Sequence, residues 1–273
     1  MNSLESSIQT IKRRLRLSNH SPLIGALRPV YDFLLDIFYG SKGLERRIQG
    51  EEPLRLLPRY RSISEEPEVL AALKSLARPG GVVLDIGANV GLFSLLMARW
   101  TGKTGRVLAF EPAPESLQAL RTHIQLNLLT DRIAAIGCAV SDTTGEAKFY
   151  AHSFNGENTL SAAFARRVPV ARPVLVPVTT VDAFCAAHRI APALLKVDIE
   201  GFEIHALRGA KETLRRHRPA VVVELHPMNW PEIGVSRDQA EQTLSELGYR
   251  PVPLDGQADP LAEYGHVVLE PVQ

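Results

Sequence analysis

The chain has little cysteine: Cys138 and Cys185 are the two among 273 residues. Neither belongs to a Cys-x-x-Cys pair or a Cys/His cluster. That excludes a disulfide framework and a thiolate zinc site, and predicts two reduced, buried thiols in a cytoplasmic protein. Net charge is also scarce. A formal +1 creates no overall field that would draw in nucleic acid, so no such partner is expected. Long uncharged apolar runs are missing. The most apolar early stretch, SPLIGALRPVYDFLLDIFYG, carries Arg28, Pro29, Asp32 and Asp36, which rules it out as a bilayer span. The opening MNSLESSIQTIKRRLRL has no signal-peptide core. Two phosphate-binding signatures are absent as well: there is no P-loop and no Gly-x-Gly-x-x-Gly.

What is present is 45% hydrophobic and 22% charged residues, ordinary globular composition with enough apolar mass for a full core. Charge is uneven. Residues 1–62 carry a local +5 and the remainder −4. Residues 1–40 are expected to form one or two amphipathic helices, broken near Ser21-Pro22, whose apolar faces cover the main domain. Contact of the basic IKRRLRL with a membrane surface is the alternative. Residues 44–63 are expected to form a short hairpin or an extended entry segment turning at Gly50. A helix follows, with Ser64 as its N-cap and Pro79-Gly80 beyond its end.

From residue 80 the pattern alternates. VVLDIG, GRVLAFEP, RIAAIGCAVSD, GEAKFYA, PVLVPVTT, ALLKVDIEG and PAVVVELHP read as strands. VGLFSLLMARW, PESLQALRTHIQLNLL, VDAF onward, IHALRGAKETLRRH and SRDQAEQTLSELGY read as helices. YRPVPLD and GHVVLEPV close the sheet. Continuous apolar strands between helices of this length predict an α/β fold with a mostly parallel, Rossmann-like sheet and helices on both faces. Residues 152–172 have no period and are expected to form a long binding loop in which His152, Asn155 and Asn158 face substrate.

In such a sheet, ligands sit past the carboxyl ends of the strands. The first strand ends in Asp85-Ile86-Gly87-Ala88-Asn89-Val90-Gly91. Asn89 stands where a dinucleotide turn needs its middle glycine, which argues against an NAD-dependent oxidoreductase. A ligand with less phosphate and a cationic head suits the turn better. Asp85 and the open backbone of Gly87, Asn89 and Gly91 are suited to an α-amino group. Glu111, at the next strand end, is placed to grip two ribose hydroxyls. Ser141 and Asp142, at the third, are suited to an adenine amino group. Together these strand ends point to S-adenosyl-L-methionine as cofactor.

VVLDIGANVGLFSLLMA, FEPAPESLQALRTHIQLN, AVSDTTGEAKFY, TTVDAF, LLKVDIEGFEIHALRGAKETL and PAVVVELHP together resemble the FkbM-type S-adenosylmethionine-dependent methyltransferases over residues 67–227. The resemblance implies a class I methyltransferase fold and methyl transfer to a hydroxyl, on a sugar, glycan or polyketide-like small molecule. It places the cofactor on Asp85, Gly87, Asn89, Gly91, Glu111, Ser141 and Asp142. The expected organisation is an N-terminal helical and hairpin extension at 1–63 and a cofactor-binding methyltransferase domain at 64–273.

The strand ending LLKVDIEGFE supplies the candidate chemistry. Asp198 and Glu200 alternate about Ile199 and share a strand face. In AVVVELH, Glu224 and His226 do the same. Asp198 is the first candidate for substrate or cofactor contact, and Glu200 and His226 are candidates for the base that takes the hydroxyl proton. Helix capping by Glu200 and backbone satisfaction of His226 are the alternatives. Asp198, Glu224 and His226 are also chemically adequate for a divalent metal, although their spacing is not diagnostic and no metal is assigned. His123 and His217 are expected at the surface, with His205 facing solvent. Trp230 is expected either to wall a sugar or macrocycle ring or to anchor the last helix. Rival functions are N-methylation, disfavoured because Asp-Ile-Glu-Gly stands where Asn/Asp-Pro-Pro-Tyr/Phe would be expected, and a non-catalytic adenosyl-ligand-binding protein.

Overall fold

A computed structural model describes residues 34, 35, 37–40, 42–48, 50–61, 63, 66–151, 160 and 172–272. The chain divides into two compact units, Met1–Ile63 and Ser64–Gln273. The basic segment IKRRLRL, the break at Ser21-Pro22, Ser64, and the loop residues His152, Asn155 and Asn158 lie outside the described residues.

In the first unit, strands β1 (Leu44–Arg46) and β2 (Leu54–Leu56) pair antiparallel, Leu44 opposite Leu56. Leu44, Leu54 and Leu56 are buried, and Gly50 takes φ +76° in the connection. This is the expected hairpin. Glycine suits that backbone because it has no Cβ to collide with the following carbonyl.

The first helix of the second unit is α1 (Pro67–Leu76); Glu66, not Ser64, takes its N-cap position, and its side chain makes no capping bond. Five strands follow the parallel pattern: β3 (Val82–Ile86), β4 (Arg106–Phe110), β5 (Ile133–Ile136), β9 (Leu194–Val197) and β10 (Ala220–Leu225). Between and after them come β6 (Ala139–Val140), β7 (Gly145–Ala151), β8 (Arg172–Thr179), β11 (Tyr249–Pro253) and β12 (Gly265–Pro271). The main sheet has the order β11-β12-β10-β9-β3-β4-β5. Within it, β12 runs antiparallel to both β10 and β11. β6, β8 and β7 form a separate three-stranded sheet. The remaining helices of this unit are α2 (Leu92–Trp100), α3 (Pro114–Leu126), α4 (Val181–His188), α5 (Glu203–Arg208), α6 (Lys211–His217) and α7 (Arg237–Leu247); α2, α3, α5 and α7 pack against strands, and α4 packs against α6.

The apolar strand runs are continuous because these strands are buried. Every residue of β9 is buried, as are Val83, Leu84 and Ile86 of β3 and Val221–Val223 of β10. Order reverses between β3 and β9: the chain builds β3, β4, β5 outward one way, then β9 and β10 the other. The resulting switch point is where an open α/β sheet takes its ligand.

Two predicted elements are divided. RIAAIGCAVSD splits into β5, which pairs with β4, and β6, which pairs with β8 in the second sheet. IHALRGAKETLRRH splits into α5 and α6 around Gly209, where a Cβ would fall on the Ser141 carbonyl oxygen. Cys185 is buried and Cys138 half-buried.

Candidate functional site at the sheet switch point

The turn after β3 is the first part of the site. Gly87 has φ +83° and Gly91 φ +91°. A Cβ on Gly87 would strike the Asp198 backbone carbonyl, and one on Gly91 would strike the Leu120 side chain. Glycine is therefore required at Gly87 by close approach to backbone as well as by conformation, and at Gly91 by its left-handed φ. Asn89, the intervening exposed residue, takes φ +49°, which asparagine tolerates better than most side chains.

Asp85 lies fully buried beneath this turn. Its Oδ2 accepts a short hydrogen bond from Ser94 of α2, which ties β3 to the helix. Its Oδ1 finds no hydrogen-bond partner among the described residues. Burial pushes the Asp85 carboxyl up, against the pull of Lys196.

Glu111, just after β4, is 4% exposed. Its Oε2 accepts the Asn89 N–H and its Oε1 the Ala113 N–H, both at 2.8 Å. Burial pushes its pKa up to about 7 despite these two bonds. The carboxylate thus fixes the glycine turn and the start of α3 together, and each oxygen keeps a second lone pair. Between the two strand ends lies a small crevice lined by Ile86, Gly87, Phe110, Pro112, Val140 and Ile199 among others. Ser141, nearly buried, donates to Asp142 at 3.3 Å, and Asp142 faces His205 at 4.0 Å.

The second part gathers around the ends of β9 and β10. Lys196 Nζ reaches Asp198 Oδ2 at 3.0 Å and lies 4.8 Å from the Phe93 ring centroid. Burial opposes the Lys196 charge, yet the Asp198 and Asp85 carboxylates hold its pKa above the ordinary lysine value. Glu200 sits in the left-handed region, φ +54°, at the turn out of the strand. Its Oε2 lies 3.3 Å from His226 Nε2. Burial pushes the Glu200 carboxyl up to about 7. His226 Nδ1 meets Glu203 Oε1 at 2.9 Å. Glu203 is itself fully buried and accepts the Gly201 N–H at 2.6 Å and Trp230 Nε1–H at 3.1 Å. Burial works against an imidazolium at His226, but Glu203, Glu200 and Glu224 raise its pKa to about 9.

Glu224 joins this group from β10. Tyr264 donates a short hydrogen bond to its Oε1, and His266 Nε2 stands 3.5 Å from its Oε2. Burial opposes the charge on Glu224, yet hydrogen bonds from His266, Asp198 and Tyr264 hold its pKa down to about 2. Asp198, its neighbour, is pushed up by burial. His266 is also held by Asp255 at 2.7 Å and Glu66 at 3.4 Å. Asp198, Glu224 and His226 each place one ligating atom within 4.8 Å of the others.

The structure therefore brings Asp198, Glu200, Glu224 and His226 into one cluster. Asp85, Gly87, Asn89, Gly91 and Glu111 form the adjoining turn, and Ser141 and Asp142 lie beyond the crevice. Several expectations are corrected. Of the two readings of Trp230 the packing anchor holds and the ligand wall does not: it is 1% exposed, lies in the core cluster with Ala240 and Leu244 of α7, and gives its indole N–H to Glu203. His123 is fully buried rather than at the surface: its Nδ1 lies 2.7 Å from the Val90 carbonyl oxygen. His205 turns toward Asp142 and away from bulk solvent. His266, Tyr264 and Asp255 were not legible as site residues. The signal was the antiparallel register that sets His266 opposite Glu224, and no sequence pattern encodes that register.

Residues 85–251 match the family model for the Methyltransferase FkbM domain. The chain is 29% identical over 196 residues to methyltransferase sdnD of Sordaria araneosa, covering 61% of this chain and 73% of that protein. It is 29% identical over 182 residues to the 31-O-demethyl-FK506 methyltransferase FkbM of Streptomyces tacrolimicus, covering 56% and 68%. The hexuronic acid methyltransferase AglP of Haloferax volcanii is 23% identical over 193 residues, covering 69% and 71%. With its switch-point site and this match over more than half its length, the chain belongs to the FkbM methyltransferase family and is a methyltransferase of the class I α/β fold.

Proposed function

We propose that the protein is an S-adenosylmethionine-dependent O-methyltransferase acting on a hydroxyl of a small molecule or glycan. The observation that carries this reading is the meeting of three strand ends at the switch point. The Gly87 turn lines the crevice, Glu111 accepts the Asn89 N–H of that turn, and the Asp198 carbonyl packs against Gly87 at the head of the cluster that holds Glu200 and His226.

The residues fit the cofactor by donor chemistry. Asp85 Oδ1, buried and unpartnered among the described residues, is an acceptor for an ammonium group or a bridging water. Glu111 retains lone pairs for two ribose hydroxyls. Gly87, Asn89 and Gly91 would hold the amino-acid end, and Ser141 and Asp142 the adenine edge. Bound there, S-adenosylmethionine supplies a methyl group activated by its sulfonium. The remaining work falls to the chain: aligning an acceptor oxygen, excluding water and accepting a proton. Asp198 is placed to orient the acceptor hydroxyl. Glu200 is the stronger candidate to take its proton, because His226, 3.3 Å away, is held in the charged form by the surrounding carboxylates.

Calorimetry tests the reading. S-adenosylhomocysteine is expected to bind and NAD not to bind; the reverse would sink it. Label from a methyl-labelled donor should appear on alcohols or sugars in an acceptor panel. Label found on amines instead would overturn the O-directed assignment.

A further inference from the structure

We propose that Asp198, Glu224 and His226 form a site for one divalent cation of the Mn²⁺ class, bound where strands β9 and β10 end, with coordination positions left open.

The ligand set comes from two adjacent strand ends. Asp198 follows β9, and Glu224 and His226 close β10, with one ligating atom from each within 4.8 Å of the others. Two carboxylates and one imidazole suit a divalent ion of borderline hardness. Such a set leaves positions for water or an acceptor oxygen, as open metal sites do.

The second observation lies behind the imidazole. His226 is 6% exposed, and its Nδ1 is committed to Glu203 Oε1 at 2.9 Å. Glu203 is buried completely and anchored by the Gly201 N–H and the Trp230 indole. A histidine that ligates through one nitrogen characteristically gives the other to a fixed carboxylate, which sets its tautomer and ring plane. His226 Nε2 is thereby aimed at Glu200 and Glu224, 3.3 and 3.9 Å away.

Charge points the same way. Asp85, Asp198, Glu200, Glu203 and Glu224 crowd the two strand ends, and Glu66 and Asp255 lie behind them on His266. Against these seven carboxylates stand Lys196, His226 and His266. Lys196 engages Asp198 Oδ2, and His266 and Tyr264 engage Glu224. A divalent ion would offset the surplus of negative charge. In the methyl-transfer reading, on which its role though not its binding rests, the ion would hold the acceptor oxygen beside Glu200 and make the hydroxyl more acidic.

The test uses the full chain, stripped of metal and free of cofactor and acceptor. Mn²⁺ is added and the electron paramagnetic resonance signal of the free ion is followed. One ion per chain is expected, displaced by Zn²⁺ or Mg²⁺. Asp198→Asn, Glu224→Gln and His226→Ala should each weaken binding tenfold or more. S-adenosylhomocysteine calorimetry on the same samples reports whether each variant folds. Wild-type protein that takes up no Mn²⁺, or uptake that all three substitutions leave unchanged, overturns the proposal. Mn²⁺ uptake by a protein that fails to bind S-adenosylhomocysteine would instead support the metal site and overturn the methyl-transfer reading.

Discussion

Replacing Glu111 by Gln should flatten the dependence of stability on pH. The wild-type carboxyl is 4% exposed, and burial lifts its pKa from an ordinary 4.5 to about 7. An acid with a higher pKa folded than unfolded binds its proton more tightly in the native state. Its contribution to stability is therefore complete below the unfolded value of 4.5 and is lost as pH climbs through about 7. At about 1.4 kcal/mol for each pH unit of that interval, the ceiling is about 3 kcal/mol. Roughly 2 kcal/mol of this would be lost between about pH 5.5 and about pH 8. Glutamine does not ionise, so this component disappears. The substitution has its own constant cost. The Asn89 and Ala113 N–H groups both point at acceptors, and an amide offers only one oxygen. The second N–H is left facing an NH₂, at about 1–3 kcal/mol. Urea unfolding at the two pH values measures both effects. Relative to wild type, the variant should gain roughly 2 kcal/mol in going from the lower pH to the higher one. A parallel fall in both proteins would refute the assignment of a burial-strained carboxyl to Glu111.

Three further outcomes follow from the packing. Glu203→Ala removes the acceptor of three buried donors, on Gly201, His226 and Trp230, and should cost about 3–5 kcal/mol in chemical unfolding; a loss well under 1 kcal/mol would mean those bonds are not made. Gly209→Ala drives a Cβ onto the Ser141 carbonyl and should cost about 1–3 kcal/mol, with weaker S-adenosylhomocysteine binding by calorimetry. Unchanged values for both would detach Gly209 from the Ser141–Asp142 corner. Cys185 is 5% exposed, and burial pushes its thiol up, so it should resist a thiol reagent near neutral pH until the protein unfolds; rapid labelling of native protein would contradict its buried position.

Much of the architecture was legible because strands buried on both faces must be apolar throughout. VVLDIG, VLAF, ALLKV and AVVVEL announced themselves in that way, and the glycines of the Gly87–Gly91 turn marked the first strand end. Where one run served two sheets the pattern failed. IAAIGCAV is uniformly apolar, so nothing in it separates the four residues that pair with β4 from the two that pair with β8. His123 misled because charged neighbours on its helix obscured which face turns inward.

By itself the sequence determined the strand-and-helix alternation, the glycine turn and the presence of acids at successive strand ends, since each depends on neighbours a few residues away. Only tertiary structure decided that Glu203 stands behind His226, that Trp230 is sealed inside, and that His266 faces Glu224 across β12. Those contacts join residues 23, 27 and more positions apart. They arise from strand order and register, which no local pattern of residues encodes.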